Sequence, residues 1–324
     1  MGITRIKAYI LFIYLFFLKK NNKLIKKKGL IRNYNEDRIS IVLNIGKPLN
    51  KQNIQDWPNV SFYGIYDGHG GCQCADFLKD QLHNFIIKDD NFPHNPKQAI
   101  INGFLNADES FLKKADNPQN LDRSGSCIIL LMILNDLIFV ANLGDSRAVL
   151  STNNGQKIIA LSTDHKPNHP DEEKRILQNG GKIYQRQVPI INPGGPILYI
   201  NGPHRVIPGR LAVSRSMGDI EAKFKKYGGN INVVIAQPDI TCIQIQQNYD
   251  FILLGCDGVF DKLSNEQCIN FMWQKINQQK NNNNCDDIFG EAIENLLQQS
   301  LLHKSFDNIS ILGINFKQQL IIKS

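Results

Sequence analysis

Four aspartates flank apolar stretches of the sequence in a way that could hold metal ions. Three of them lie beside a glycine at the end of such a stretch, in Asp67-Gly68, Gly144-Asp145 and Asp257-Gly258, and the fourth, Asp307, lies just before a stretch. One such pair would indicate only a turn, because Asp and Gly are common turn residues. A rigid strand holds a carboxylate in place, however, and glycine lets a backbone carbonyl approach the same ion. Oxygen ligands of this kind suit Mg²⁺ or Mn²⁺ rather than zinc.

The elements that must position these carboxylates follow from the hydrophobic pattern. Strands are predicted at residues 39–45, 60–66, 127–134, 137–141, 147–150, 158–161, 239–245, 251–255 and 309–316. Helices are predicted at residues 72–87, 96–114, 171–179, 265–277 and 288–302. Tight turns rather than helices join neighbouring strands, which indicates antiparallel sheets in an α+β domain. Residues 180–210, rich in Gly and Pro, and residues 277–287 are predicted loops.

Composition limits the class of protein. The 324 residues contain 42% apolar and 21% charged residues, which suits one large catalytic domain. Seven cysteines without a Cys-x-x-Cys pair indicate neither a disulfide framework nor a zinc site, so a reducing compartment, cytoplasmic or nuclear, is expected. Six lysines between Lys19 and Lys28 account for most of the net charge of +7. Because no nucleic-acid-binding module is recognisable, no nucleic-acid partner is expected.

Other phosphate chemistries lack their required residues. No cysteine is followed by arginine at the sixth position, as a cysteine-nucleophile phosphatase requires. An aspartyl-nucleophile phosphatase needs a second Asp two residues from Asp67, but Ile65 and His69 occupy those positions. Neither Gly46-Lys47 nor Gly181-Lys182 continues into the Ser or Thr of a P-loop. These three classes are excluded.

Several motifs resemble those of one enzyme family. The sequence DGHGG at residues 67–71 resembles the signature of the type 2C, metal-dependent serine/threonine phosphatases. The other matching motifs follow in the family order: RNYNED (32–37), ANLGDSRAVL (141–150), DHKP (164–167), LAVSRSMGD (211–219), CDGVFD (256–261) and Asp307-Asn308. The resemblance covers about residues 29–316 and implies two antiparallel sheets packed face to face between pairs of helices, an α-β-β-α sandwich.

The resemblance also implies a ligand set for two divalent cations, Mn²⁺ or Mg²⁺. Asp67 would bridge both ions, the Gly68 carbonyl would bind one, and Asp257 and Asp307 would complete the second site. Glu36 and Asp37 would act largely through metal-bound water. Asp145 and Asp261, together with Asp257, match the family's weaker third metal site.

The same resemblance predicts the reaction. A hydroxide shared by two cations would attack phosphorus directly, without a covalent intermediate, on phosphoserine and phosphothreonine residues of proteins. Arg32 has a planar fork that can bind two phosphate oxygens. His69 is the candidate acid that protonates the leaving oxygen. Structural roles remain open for both: His69 beneath a loop, and Arg32 in a surface pair with Glu36.

Two other functions remain open at this stage. A two-metal phosphodiesterase or nuclease would use the same carboxylates but would need a basic groove. A phosphatase-like scaffold would bind phosphoproteins without turnover, although Arg32, Asp67, Asp257 and Asp307 are all retained. We expect a monomeric enzyme.

The N-terminal 28 residues are predicted to be an extension of the catalytic domain at residues 29–316, and residues 317–324 a C-terminal tail. An apolar run from Ala8 to Leu18 is about half the length of a membrane-spanning helix. If it is an anchor, the lysines that follow would keep the catalytic domain on the cytosolic side. An extra strand and an error in the predicted gene are the alternatives.

Overall fold

The computed structural model describes residues 34–190, 198–278 and 285–316, which form an α+β fold with two main antiparallel sheets. The strands of the first sheet are β1 (Arg38–Val42), β2 (Val60–His69), β3 (Gly125–Leu134), β4 (Leu137–Leu143), β9 (Met217–Gly218) and β10 (Asp239–Gln244). They follow the order β1-β2-β3-β4-β10, and β9 pairs with β3. The second sheet has the order β12-β11-β5-β6. Its strands are β5 (Arg147–Thr152), β6 (Lys157–Ala160), β11 (Tyr249–Gly255) and β12 (Ile311–Asn315).

The five predicted helices are all present. They are α1 (Gln73–Lys88), α2 (Pro96–Ala115), α3 (Pro170–Gln178), α6 (Asn265–Gln278) and α7 (Cys285–Leu302). The start of α2 shows why: Pro96 fits the first turn, and the Asn95 side chain accepts a hydrogen bond from the Gln98 backbone N–H. Two short helices that the sequence pattern did not predict are α4 (Ile220–Lys223) and α5 (Asp257–Phe260).

Three apolar cores hold these layers together. One lies between the first sheet and the pair α1 and α2, one between the two sheets, and one between the second sheet and the pair α6 and α7. The predicted helix-sheet-sheet-helix arrangement is therefore confirmed.

Strand β2 shows how the layers fix the direction of each side chain. Phe62 and Tyr66 lie in the core beneath the helices, whereas Tyr63 and Ile65 lie in the core between the sheets. Because side chains alternate along a strand, Asp67 and His69 continue the face of Ile65. The prediction ended this strand at residue 66, but it extends to His69 and carries both residues at its end.

The prediction of a loop over residues 180–210 was wrong. Strands β7 (Lys182–Ile190) and β8 (Leu198–Ile207) pair as a separate antiparallel ribbon, which we call the arm. At its base, Val206 packs with Ile176 of α3 in a small fourth core. The segment from Lys182 to Arg210, which contains the arm, has four Lys or Arg residues and no Asp or Glu.

Several predictions fall outside the described residues. Arg32, the run from Ala8 to Leu18, and the tail at 317–324 belong to this group, so the division into domains and the anchor remain predictions. Within the described ranges, no helix has both the length and the apolar content required to cross a membrane. The six cysteines with described side chains are free thiols.

Candidate metal centre and active site

The ends of strands from both sheets bring the predicted metal ligands together. Asp67 lies near the end of β2, and Asp257 begins α5 directly after β11 and Cys256. One potential ligand atom from each of Asp67, Cys256 and Asp257 lies within 4.8 Å of the other two. Gly255 pairs with Ile311 at the start of β12, which brings the segment that follows Asp307 alongside.

The segment before β1 joins the same site through hydrogen bonds. The backbone N–H of Glu36 donates to Asn308 Oδ1 at 3.0 Å, and Glu36 Oε1 accepts from the Gly71 N–H at 2.6 Å. Ser310 Oγ donates to Asp37 Oδ2 at 2.7 Å. Glu36 and Asp37 are both buried. Four distant segments of the chain therefore meet at one end of the sheets.

Glycine is required where these segments touch. A Cβ on Gly68 would lie 2.5 Å from the Glu36 carbonyl oxygen, and a Cβ on Gly258 would lie 2.0 Å from the carbonyl oxygen of Asn308. Real Cβ atoms do not approach so closely, so any side chain would push the segments apart. The two glycines of the DG pairs thus have a packing role in addition to any role toward a cation.

The carboxylates of the cluster repel one another strongly. Burial, followed by the charges of Asp257, Asp37, Asp145 and Asp307, raises the pKa of Asp67 well above its usual value. Burial, followed by Asp145 and Asp307, raises the pKa of Asp257 to about 8. The ionised cluster is therefore destabilised until positive charge is added.

The donor set fits hard divalent cations. Cys256 lies beside Asp67 and Asp257, but burial raises its thiol pKa well above the usual value, and its Sγ donates to the Asn308 carbonyl at 3.3 Å. A protonated thiol engaged in this way is a poor metal ligand. Oxygen donors remain, which match Mg²⁺ or Mn²⁺.

A lysine lies between the residues matched to a third cation. The Lys166 ammonium contacts Asp145 and lies 4.0 Å from Asp261 Oδ1. Burial lowers the pKa of Lys166, but the charge of Asp145 and its hydrogen bond outweigh this, so the pKa is raised overall. Lys166 belongs to the DHKP motif, but no pattern in the sequence indicates that it lies beside Asp145 and Asp261.

The backbone before Lys166 is firmly attached to the Gly144-Asp145 turn. His165 N–H donates to the Gly144 carbonyl at 2.9 Å, and the Gly144 N–H donates to His165 Nδ1 at 3.1 Å. Arg147 binds both oxygens of Asp164, at 2.7 and 2.9 Å. These bonds place the Lys166 side chain beside the cluster.

His69 has a carboxylate partner that the sequence did not reveal. Its Nε2 lies 2.9 Å from both oxygens of Asp219. Burial lowers the pKa of His69, but the charge of Asp219 and the hydrogen bond to it raise the pKa overall. Asp219 is the last residue of the LAVSRSMGD motif, and no local signal in the sequence links it to a histidine 150 positions away.

The chain matches a known family over most of its length. The family model described as Protein phosphatase 2C matches residues 31–309. The chain belongs to this protein phosphatase 2C family. It is therefore an enzyme of the phosphatase class, as the DGHGG resemblance predicted.

Relatives and solved structures agree with this family. The chain is 29% identical over 276 residues to "Probable protein phosphatase 2C 57" of Oryza sativa subsp. japonica, covering 85% of this chain and 67% of the relative. It is 32% identical to "Probable protein phosphatase 2C 45" of the same organism, covering 79% of this chain and 77% of the relative. The crystal structure of a serine-threonine phosphatase 2C from Toxoplasma gondii has a TM-score of 0.64 at 21% identity, covering 89% of this chain and 92% of that chain, and so shares the fold.

Proposed function

We propose that this phosphatase hydrolyses phosphoserine and phosphothreonine residues of proteins with two bound divalent cations, Mn²⁺ or Mg²⁺. One observation carries this proposal: Asp67 and Asp257 lie close together, and Asp37, Asp145 and Asp307 are near enough for their charges to act on Asp67. Asp67, the Gly68 carbonyl, Asp257 and Asp307 would hold the cations, and Glu36 and Asp37 would orient water around them. Asp145 and Asp261 would hold a weaker third cation.

The chemistry requires an activated water and a proton for the leaving oxygen. Bound cations would lower the pKa of water toward neutrality and so supply hydroxide as the nucleophile. Arg32, which lies outside the described residues, would bind two oxygens of the phosphate. His69 lies on the same face of β2 as Asp67 and would give its proton to the serine or threonine oxygen.

Substrate choice would depend on the arm rather than on the metal centre. The arm is a two-stranded ribbon whose Tyr199 and Ile200 are exposed. Exposed segments on a rigid scaffold commonly carry specificity. Its surplus of Lys and Arg without acidic residues would favour acidic surroundings of the phosphorylated residue.

Hydrolysis of a phosphothreonine peptide, with Mn²⁺, Mg²⁺ or EDTA present, tests the proposal. Phosphate release with either metal and its loss in EDTA are expected. An inactive protein that still binds the phosphopeptide would indicate a scaffold. Cleavage of nucleic acid together with an intact phosphopeptide would indicate a nuclease.

A further inference from the structure

We propose that Asp219 is a positioning residue that holds the His69 ring for proton transfer to the leaving oxygen. This inference rests on the proposed function, because it concerns the acid step of that reaction. Asp219 acts through His69 and needs no contact with the substrate.

The contact between the two side chains restricts the ring. His69 Nε2 lies 2.9 Å from both Asp219 oxygens, and Ser216 Oγ donates to Asp219 Oδ2 at 2.6 Å. The Asp219 side chain is 6% exposed, whereas that of His69 is 29% exposed. A ring nitrogen beside a carboxylate carries a proton there, so in the doubly protonated ring the proton on Nδ1 is the one available to the leaving oxygen. Its transfer leaves the neutral ring with its proton on Nε2.

The backbone of Asp219 is held in an uncommon conformation to make this contact. Its φ and ψ are both 56°, in the left-handed region that is unfavourable for most residues but that Asp tolerates better. The Asp219 N–H donates to the Ser124 carbonyl at 3.0 Å. Strained conformations of this kind persist where the surrounding structure imposes them, as they commonly do at functional sites.

A buried ion pair supplies that surrounding structure. Lys223 Nζ binds both oxygens of Asp108, at 2.8 and 2.7 Å, and also the Ser216 carbonyl at 2.7 Å. The Gly218 N–H donates to the same Asp108 carboxylate at 2.8 Å. The residues on both sides of Asp219 are therefore fixed to helix α2.

Gly125 leaves the space in which His69 and Asp219 meet. It pairs with His69 across β2 and β3 and with Gly218 across β3 and β9. A Cβ on Gly125 would lie 2.2 Å from Asp219 Oδ2 and 2.5 Å from His69 Nε2. Alanine at this position would separate the two side chains although neither is changed.

A double-mutant cycle on the full chain with Mn²⁺ tests the proposal. Asp219→Asn keeps the size of the side chain and tolerates the left-handed backbone, but loses the charge that orients the ring. It should lower kcat on a phosphothreonine peptide by about 100-fold, the low end of a general-acid contribution, with KM little changed. The loss on an aryl phosphate should be smaller, because that leaving group needs little protonation. In a His69→Ala background, Asp219→Asn should cause no further loss on the peptide.

Two further variants separate positioning from folding. Gly125→Ala should reproduce the peptide-selective loss, whereas Ser216→Ala, which leaves the His69 contact in place, should lose less than Asp219→Asn. If the parent is active, two results would overturn the positioning role. One is that Asp219→Asn lowers kcat by the same factor in the parent and in the His69→Ala background, and the other is that it lowers kcat equally on the peptide and on the aryl phosphate. A parent that is inactive on the peptide would contradict the proposed function itself.

NMR spectroscopy tests the proposal in variants that have no measurable activity. In ¹⁵N spectra of the full chain with Mg²⁺ bound, the neutral His69 ring should carry its proton on Nε2, with the signal assigned by His69→Ala. Asp219→Asn should change the proportion of the two tautomers. An unchanged tautomer would also overturn the proposal.

Discussion

The ammonium group of Lys166 contacts the carboxylate of Asp145 and lies 4.0 Å from that of Asp261. These are two of the three residues proposed to hold the weaker third cation. A lysine charge in this position competes with a divalent cation for the same oxygens, because like charges cannot share the site.

Lys166→Met should therefore tighten binding of the weakest Mn²⁺ by roughly 2- to 5-fold, the value of a partly exposed ion pair. Isothermal titration of the EDTA-treated chain measures this. Lys262→Met is the control. The positive charges of Lys166 and Lys262 both act to lower the pKa of Asp261, but of the two only Lys166 contacts Asp145. If both variants tighten the site equally, net charge rather than the Lys166 contact is responsible.

Asp257→Asn should nearly abolish hydrolysis and leave the fold intact. The amide keeps the shape but loses the charge that would hold a cation, and it relieves repulsion within the cluster. Without metal, the variant should be at least as heat-stable as the parent, whereas stabilisation by Mn²⁺ should shrink. Thermal unfolding with and without Mn²⁺ checks both. Asp90→Asn at an exposed position is the control, and near-parental activity of Asp257→Asn would refute the two-metal assignment.

The metal-free protein should lose stability as pH rises from about 4 to about 8. Asp257 has its pKa raised to about 8 in the fold, so its contribution is complete below its unfolded pKa and is lost as pH rises through 8. The change should be on the order of a few kcal/mol. Urea unfolding in EDTA at several pH values measures it. Asp257→Asn should flatten the dependence, and an equally steep variant would contradict this assignment.

His69→Ala should slow hydrolysis of a phosphopeptide by about 10²–10⁴-fold and of an aryl phosphate by less. The alkoxide of serine or threonine needs a proton on leaving, whereas an aryl oxide with a low pKa does not. Rates across a series of aryl phosphates should therefore depend more steeply on leaving-group pKa in the variant. A parallel dependence would argue for a structural role of His69.

Shortening the arm should change substrate preference more than chemistry. Gln187 pairs with Asn201, so replacing residues 188–200 by Asn-Gly would close the ribbon with a tight turn and keep its base. The relative kcat/KM for acidic and neutral phosphopeptides should change by about 10-fold or more, while aryl phosphate turnover stays near the parental rate. Arg186→Gln in the full-length arm tests the charge alone. Equal losses on all substrates would contradict the assignment of specificity to the arm.

The arm also shows where a sequence pattern is a poor guide to structure. Strands of the main sheets were predictable because each buries apolar residues at a regular spacing against a core. Of the described side chains of β7 and β8, only those of Ile183 and Val206 pack in one of the four cores, and the Gly and Pro residues of this segment indicated a loop. The two strands are held in an extended conformation by backbone hydrogen bonds to each other, and amino-acid composition does not indicate this pairing.

For the candidate site, sequence alone determined the kind of donor and its place at the end of an apolar strand. It could do so because turn glycines and strand periodicity are local properties. The tertiary structure decided which groups meet: Glu36 with Asn308, Lys166 with Asp145, and His69 with Asp219. These pairs are brought together by the packing of two sheets and by the β3–β9 bridge, which depend on the whole chain. No local pattern specifies them.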